Sequence, residues 1–362
     1  MNAQLSSVRP LPARQRGAVM IMVLWTAVVM TILVTVLAAN VRLSATTAFY
    51  NKAGNEDYAA VMAAMHKAEM ELMMERMPVP VGQELTLNDD GEFRIPAYRF
   101  NGQPLTLNYA ADDNMVVRIY DHAGKINLNR IERTRLQLII EKKLGEGFDP
   151  RQVQELLAAW DDWTDLNTLL TPGGAEDDYY ESLDPPYTAR NVPELDSVEE
   201  IRLIRGFDEL FADVDLEAAF TIYGTGNAVN PNLATREALL LLPGLDEELV
   251  EEIIAHREQT DFRVMREVGE IVPLEEMVEL SPWLGFNTSS FYSVYAYPAR
   301  AQSASQAMTD DGNYDSASLA DDPVQQAYMQ VMEVRSPNNR ARVYQINPYA
   351  QLPDTRRAQI DD

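Results

Sequence analysis

The sequence predicts an α+β fold: a long N-terminal helix lies on an antiparallel sheet, and a large all-α domain is inserted between two strands of that sheet. Three observations carry this. Residues 18–39 form an uncharged apolar run that continues as a helical pattern to about Met77. Strand signals occur before residue 123 and return after residue 287. Between them, from Gly124 to about Phe286, the apolar spacing is largely helical. Runs of strands flanking a run of helices describe an α+β body with a separate helical unit.

The first element is the run from Ala18 to Ala39. Its 22 residues carry no charge, and only Thr26, Thr31 and Thr35 are polar. At 1.5 Å per residue it reaches roughly 33 Å, enough to cross a bilayer core. The 17 residues before it contain Arg9, Arg14 and Arg16 and no acid. That charge predicts a cytoplasmic N-terminus, with everything past Ala39 on the far side. A plain signal anchor reads the same way. So does a cleaved secretory signal ending at Val36-Leu37-Ala38, although the run exceeds the usual apolar length of such signals. A short basic leader ending in Gly17, set directly against an apolar helix starting at Ala18, resembles the processing site of type IV pilin-like proteins.

The helical pattern then puts Tyr58, Met62, Met65 and Leu72 on one face, and Pro78 and Pro80 stop it. Strands are expected at Glu84–Leu87, Phe93–Phe100, Leu105–Tyr109 and Met115–Tyr120, with turns at Asn88–Gly91 and Asn101-Gly102. Helices are expected at Thr134–Leu144, Pro150–Trp160, Val198–Ile204, Asp208–Phe211, Thr235–Leu242, Glu247–Gln259 and Val264–Glu270. Strands return at Phe291–Tyr297, Tyr328–Val334 and Arg342–Ile346. Ala299–Pro323 reads as a polar excursion, and the tail after Pro353 as frayed. The chain thus divides into a leader (1–17), a membrane helix (18–39), helix and first strands (40–123), an inserted helical domain (124–286), returning strands (287–350) and a polar tail (351–362).

Composition excludes several chemistries. The formal charge is −26, which repels phosphate backbones and anionic lipid and suits divalent cations. There is no cysteine, so thiolate metal sites and cysteine nucleophiles are absent. His66, His122 and His256 lack zinc-ligand spacing. His122 reads as a polar turn residue. No spacing marks a catalytic pair or triad, so the chain is not expected to be an enzyme.

Two segments 103 residues apart resemble each other. Ile126-Asn127-Leu128-Asn129 precedes Thr134 and a leucine-rich helix, and Val229-Asn230-Pro231-Asn232 precedes Thr235 and another. In each, an Asn side chain can bond backbone at the turn before the helix. The second continues through Leu242-Pro243-Gly244-Leu245-Asp246 into Glu247–Gln259, which resembles a helix-hairpin-helix unit. Such units often grip DNA phosphates, and that grip needs exposed hairpin N–H groups and a following helix without negative charge. Asp246, Glu247, Glu248, Glu251 and Glu252 repel a phosphate instead. A membrane-anchored helix-hairpin-helix DNA-binding protein is therefore the alternative, and no nucleic-acid partner is expected.

An acidic loop lies between the repeats. Asp162, Asp165 and Asn167 end one helix; Glu176, Asp177 and Asp178 return after Thr171-Pro172-Gly173-Gly174. Hard oxygen ligands in this density suit Ca2+, although EF-hand spacing is absent. The competing reading is a solvated acidic loop. A second stretch, Asp310–Asp315, reads as solvated.

Taken together, the chain resembles the K-type minor pseudopilin family of bacterial type II secretion systems (general secretion pathway protein K). The resemblance rests on Gly17-Ala18 with the apolar helix, Gly124–Asn129, Asp162-Trp163-Thr164-Asp165, Gly174–Asp177, Pro186-Tyr187, Glu199–Arg202 and the hairpin unit Asn230–Arg257. It implies a pseudopilin fold and a single-pass inner-membrane protein with a periplasmic bulk. It also implies cleavage after Gly17 by the prepilin peptidase, and the I-, J- and H-type minor pseudopilins as partners. Calcium ligands carry over to Asp165, Glu176, Asp177 and Asp178; Asn167 stands where the family often has Asp. Major pilins place a Glu fifth in the mature chain, where it neutralises a neighbour's N-terminal ammonium inside the membrane. Counting from Ala18, the fifth residue here is Met22. The resemblance thus implies a subunit that begins the pseudopilus at its tip.

Overall fold

The computed structural model describes residues 16–76, 98–105, 107, 115–298 and 326–353. The strand expected at Glu84–Leu87, most of those at Phe93–Phe100 and Leu105–Tyr109, the excursion at Ala299–Pro323, the stretch Asp310–Asp315 and the residues beyond Pro353 lie outside the described residues. So does the leader up to Gln15.

The chain separates into two units, Met1–Ala59 and Ala60–Asp362, and helix α1 (Arg16–Glu75) runs through both. In the first unit Ile21, Trp25, Leu33 and Leu37 are exposed. The polar groups there are hidden by the helix itself. Thr26 Oγ1 donates to the Val23 carbonyl at 2.9 Å, Thr31 to Ala27 at 2.8 Å and Thr35 to Thr31 at 2.8 Å. In hydrocarbon each hydroxyl then has its partner without water. Among the described residues this is the one helix long and apolar enough to cross a membrane.

In the second unit, α1 buries Val61, Ala64, Met65, Ala68 and Leu72. The buried stripe is rotated from the expected one: Tyr58 is exposed and Met62 half-buried. Ala64 and Ala68 let the helix axis approach the sheet, which larger side chains would prevent. The sheet is β1 (Asn101–Pro104), β2 (Met115–Asp121), β5 (Phe291–Pro298), β6 (Gln326–Glu333) and β7 (Arg342–Gln351), in that order, antiparallel throughout. Strand β1 occupies the place where Asn101-Gly102 was expected to turn. A Cβ on Gly102 would fall 2.1 Å from the Tyr120 ring, so glycine here lets an edge strand pass beside that ring.

The helical insertion leaves from β2 and returns at β5, its neighbour in the sheet. The Asp121 carboxylate accepts from Ala123 N at 2.8 Å on the outgoing side and Ser289 N at 3.0 Å on the returning side. His122 is not the polar turn residue that the sequence suggests. It is buried, with Nδ1 2.7 Å from Thr221 Oγ1 and Nε2 2.8 Å from Ser293 Oγ. Burial first, and the Lys125 ammonium second, push its pKa well down and keep the ring neutral.

The insertion holds α2 (Arg133–Leu144), α3 (Pro150–Thr164), α4 (Asp177–Tyr180), α5 (Phe207–Leu210), α6 (Leu216–Ala219), α7 (Arg236–Leu241), α8 (Glu247–Gln259), α9 (Met265–Val268) and α10 (Leu274–Leu280). Short strands β3 (Ile126–Asn127) and β4 (Phe220–Thr221) pair in parallel. Its core is aromatic, with Trp163, Tyr180, Phe207, Phe211, Phe220 and Phe262 fully buried. The two repeats use their asparagines alike. Asn129 accepts from Leu195 N at 2.7 Å and donates to Leu195 O at 3.1 Å. Asn232 accepts from Phe262 N at 2.7 Å and donates to Phe262 O at 2.8 Å. Each amide thus replaces a strand partner for a distant backbone segment. Asn232→Ala leaves two buried backbone groups unpaired, at about 1–3 kcal/mol each. We expect it to cost roughly 2–4 kcal/mol in urea denaturation followed by tryptophan fluorescence, and an unchanged midpoint would refute the clamp.

Candidate cation site

Helix α3 starts with Asp149 accepting from Arg151 N at 2.9 Å and Pro150 in its first turn, both favourable there. It ends at the acidic loop. Asp162 is fully buried on its last turn, and its carboxylate accepts from Thr171 N at 3.1 Å. Gly174 lies against that carboxylate: a Cβ there would sit 2.1 Å from Asp162 Oδ2. The loop therefore needs glycine at this close approach.

Glu176 is the informative residue. It is buried, and neither Oε1 nor Oε2 has a hydrogen-bond partner. Burial, then the charges of Asp162, Asp165 and Asp177, raise its pKa above the ordinary value. The Asn191 side-chain amide works the other way. A second buried glutamate in the same domain shows the contrast. Glu200 accepts from Trp163 Nε1 at 2.9 Å and Asp196 N at 2.8 Å, and it pairs with Arg190 at 3.2 Å. One buried carboxylate is satisfied by protein and the other is not.

Around Glu176 the structure gathers oxygen. Asn191, held at φ 51°, places its amide 3.0 Å from the Asp162 carbonyl oxygen and 3.3 Å from that of Asn167. With its nitrogen turned to them it donates to both; with its oxygen turned to them, three oxygens face one another. Asp165 is engaged locally, accepting from Asn167 N at 2.9 Å and Asn167 Nδ2 at 2.6 Å. Asp177 accepts from Ala189 N at 2.8 Å. Asp178 is exposed on α4. The sequence-expected residues Asp162, Asp165, Glu176 and Asp177 are thus brought together, Asn167 contributes backbone, and Asp178 faces solvent. Asn191 escaped the sequence reading because a lone Asn before Val192-Pro193 carries no ligand signature.

Among the described residues no three acidic or histidine side chains converge on one point by themselves. A cation here needs a mixed set: the Glu176 carboxylate, backbone carbonyls and an amide oxygen. That donor chemistry suits a hard, flexible-coordination ion such as Ca2+ and not zinc. The residues fit such an ion because Glu176 has no other neutralising partner. Without it, the folded chain holds a proton on Glu176 that the unfolded chain releases. Stability of the cation-free protein should therefore fall as pH rises out of the ordinary carboxylate range through the raised pKa. Melting temperatures in chelator across that window measure this. Glu176→Gln should flatten the slope, and an identical slope in that variant would refute the assignment.

Three comparisons bear on identity. Residues 124–214 match the family model of the type II secretion system (T2SS), protein K. A "Type II secretion system protein K" from Klebsiella pneumoniae is 25% identical over 212 residues, covering 54% of this chain and 64% of that protein. The chain thus spans just under two thirds of that relative's length. A crystal structure described as the GspK-GspI-GspJ complex from the enterotoxigenic Escherichia coli type 2 secretion system aligns over 84% of this chain and 99% of the matched chain, at 15% identity and a TM-score of 0.47. Over the matched insertion and the length shared with that relative, the chain is similar to protein K of type II secretion systems.

Proposed function

We propose that this chain is the minor pseudopilin that starts the pseudopilus at its tip for protein export across the outer membrane. The observation that carries the tip reading is Met22. Position five of the mature helix has no carboxylate to pair with the ammonium of a subunit above it in the bilayer, while its own N-terminal ammonium remains for the carboxylate of the next subunit below. The similarity to protein K and the spanning helix support the rest: an inner-membrane anchor, removal of the leader between Gly17 and Ala18 by the prepilin peptidase, and assembly with the I-, J- and H-type subunits. Isolated filaments test this together. N-terminal sequencing should show chains beginning at Ala18, and antibody against the helical domain should label one end. Unprocessed chains, or label all along the shaft, would refute it.

The DNA-binding alternative has no support in the hairpin. Gly244 (φ 74°) is packed so that a Cβ would lie 2.5 Å from the Glu276 carbonyl oxygen. Lys142 Nζ donates to Leu245 O at 2.6 Å and also to Leu242 O, and Asp246 caps α8 by accepting from Leu249 N at 2.9 Å. At the start of α8 the Leu249 amide is thus taken by a carboxylate that would repel a phosphate.

We further propose that Ca2+ occupies the Glu176 site and ties the end of α3 to residues 174–191. It is a structural ion with no catalytic step. At calcium a hundred times its Kd, the folded state gains about 2.7 kcal/mol. Calorimetric titration should show binding that Glu176→Ala or Asp162→Asn weakens, and a flat titration at millimolar calcium would refute the ion.

A further inference from the structure

We propose that the inserted domain carries a peptide-binding cavity between α2, α3 and α5, shaped for an extended segment with an acidic, an apolar and a basic residue in succession. It goes beyond the assembly and calcium readings and depends on neither.

The cavity holds about 500 Å3, within the range of roughly 300–1,000 Å3 that ligand sites occupy. Two of its walls each offer a Glu-Leu pair: Glu155-Leu156 on α3 and Glu209-Leu210 on α5. Both leucines are buried and both glutamates are exposed, so the floor is apolar and the rim is charged. The walls meet at Gly206 (φ 80°), where a Cβ would fall 2.7 Å from Leu156 Cδ2. Glycine at that point lets the start of α5 press against α3 and fixes the width of the floor. The end of α2 adds Leu144 to the apolar lining and Lys143 to the rim.

Charge selects the ligand. Lys143 is already paired, its Nζ donating to Asp213 at 2.5 Å. Three ionic groups of the lining remain. Arg205 is partly buried; its Nη1 donates to the Gly174 carbonyl at 3.0 Å, and its guanidinium carbon lies 5.2 Å from the centre of the Tyr179 ring. Those contacts hold the guanidinium in place without neutralising it. Among the described residues Arg205, Glu155 and Glu209 form no ion pair. One cation and two carboxylates around an apolar floor call for a ligand that carries both signs with an apolar group between them. Arg205 takes the ligand's carboxylate, and the two glutamates take its ammonium or guanidinium. The leucine floor takes the apolar side chain and the stem of the basic one. Three extended residues span roughly 10 Å. A bare divalent ion is a poorer occupant, because no three acidic side chains converge among the described residues. A nucleotide or an anionic lipid meets Glu155 and Glu209 at the rim and is repelled.

The probes are fluorescent, end-blocked tripeptides of sequence Asp-Leu-Lys, Asp-Leu-Asp and Lys-Leu-Lys, titrated with the full-length chain in detergent and followed by anisotropy. Asp-Leu-Lys should bind saturably and about tenfold more tightly than either of the others. Arg205→Gln should weaken it by about tenfold. Glu155→Gln with Glu209→Gln, at exposed positions, should weaken it by about fivefold. Glu155→Lys with Glu209→Lys should transfer the preference to Asp-Leu-Asp, a gain that a misfolded chain cannot produce. The proposal is overturned by an absence of saturable binding at millimolar peptide, by equal binding of all three peptides, or by an unmoved preference when the rim charge is reversed. Binding of Asp-Leu-Lys with free ends but not with blocked ends would overturn it too, because the ligand would then be a free peptide and not a segment of a chain.

Discussion

Residues 122–290 leave the sheet from one strand and rejoin it at the next, and the two strands are about 4.8 Å apart. Everything in the second unit depends on closing that gap. One carboxylate does so: Asp121 accepts from an amide on each side of the junction. Arg76, just past the end of α1, reinforces the returning side through the Tyr292 hydroxyl at 2.6 Å and the Ser289 carbonyl. Burial pushes the Asp121 pKa up to about 7, and the amide bonds and Arg76 only partly offset this. Below the closure, His122 and Lys125 turn inward to Ser293 of β5, and Lys125 also reaches the Glu217 carbonyl at 2.6 Å. Glu217 in turn holds β7. The polar groups at the junction therefore link the inserted domain to the far edge of the sheet.

This arrangement explains what was legible in the sequence. Long elements with strong periodicity could be read: α1, α2, α3 and α8, and strands β2, β5 and β6. Their burial pattern is local and repeats along the chain. The β1 strand could not be read, because its glycine serves the Tyr120 ring, whose position is set by a strand pairing. His122 was misjudged for a related reason. Asp-His-Ala-Gly has the composition of a surface turn, and only Thr221 and Ser293, brought from 99 and 171 residues away, make it a buried one. Short helices such as α4, α6 and α10 are held by tertiary packing and carry too few residues for a period.

The acidic loop that carries the proposed cation site was partly legible. Density of acids and glycines marked the loop, and four of the six expected residues gather there. The decisive fact, one buried glutamate satisfied and one not, is a property of partners. Glu176 and Glu200 have the same side chain and similar burial. Arg190, Trp163 and the Asp196 amide reach only Glu200. Around Glu176 three neighbouring acids repel, and only the Asn191 amide opposes them. Spacing along the chain does not distinguish these two environments.

The duplicated Asn-x-Asn segments both serve as scaffold. The first copy joins α2 to α3 through Gly145 and Gly147, both at positive φ with open space around them. The second joins α7 to α8 through Gly244, which is packed on α10. The copies are bound to each other by a cation from the first: Lys142, on α2, donates to two carbonyls of the second hairpin. Burial lowers its pKa to about 8, with Asp246 opposing that shift. A polyanion approaching the second hairpin would have to displace α10 and face Asp246, Glu247 and Glu251, the last two sharing the single positive charge of Arg236. The second hairpin packs one helix pair against another, with its Leu242 and Leu245 carbonyls turned to Lys142.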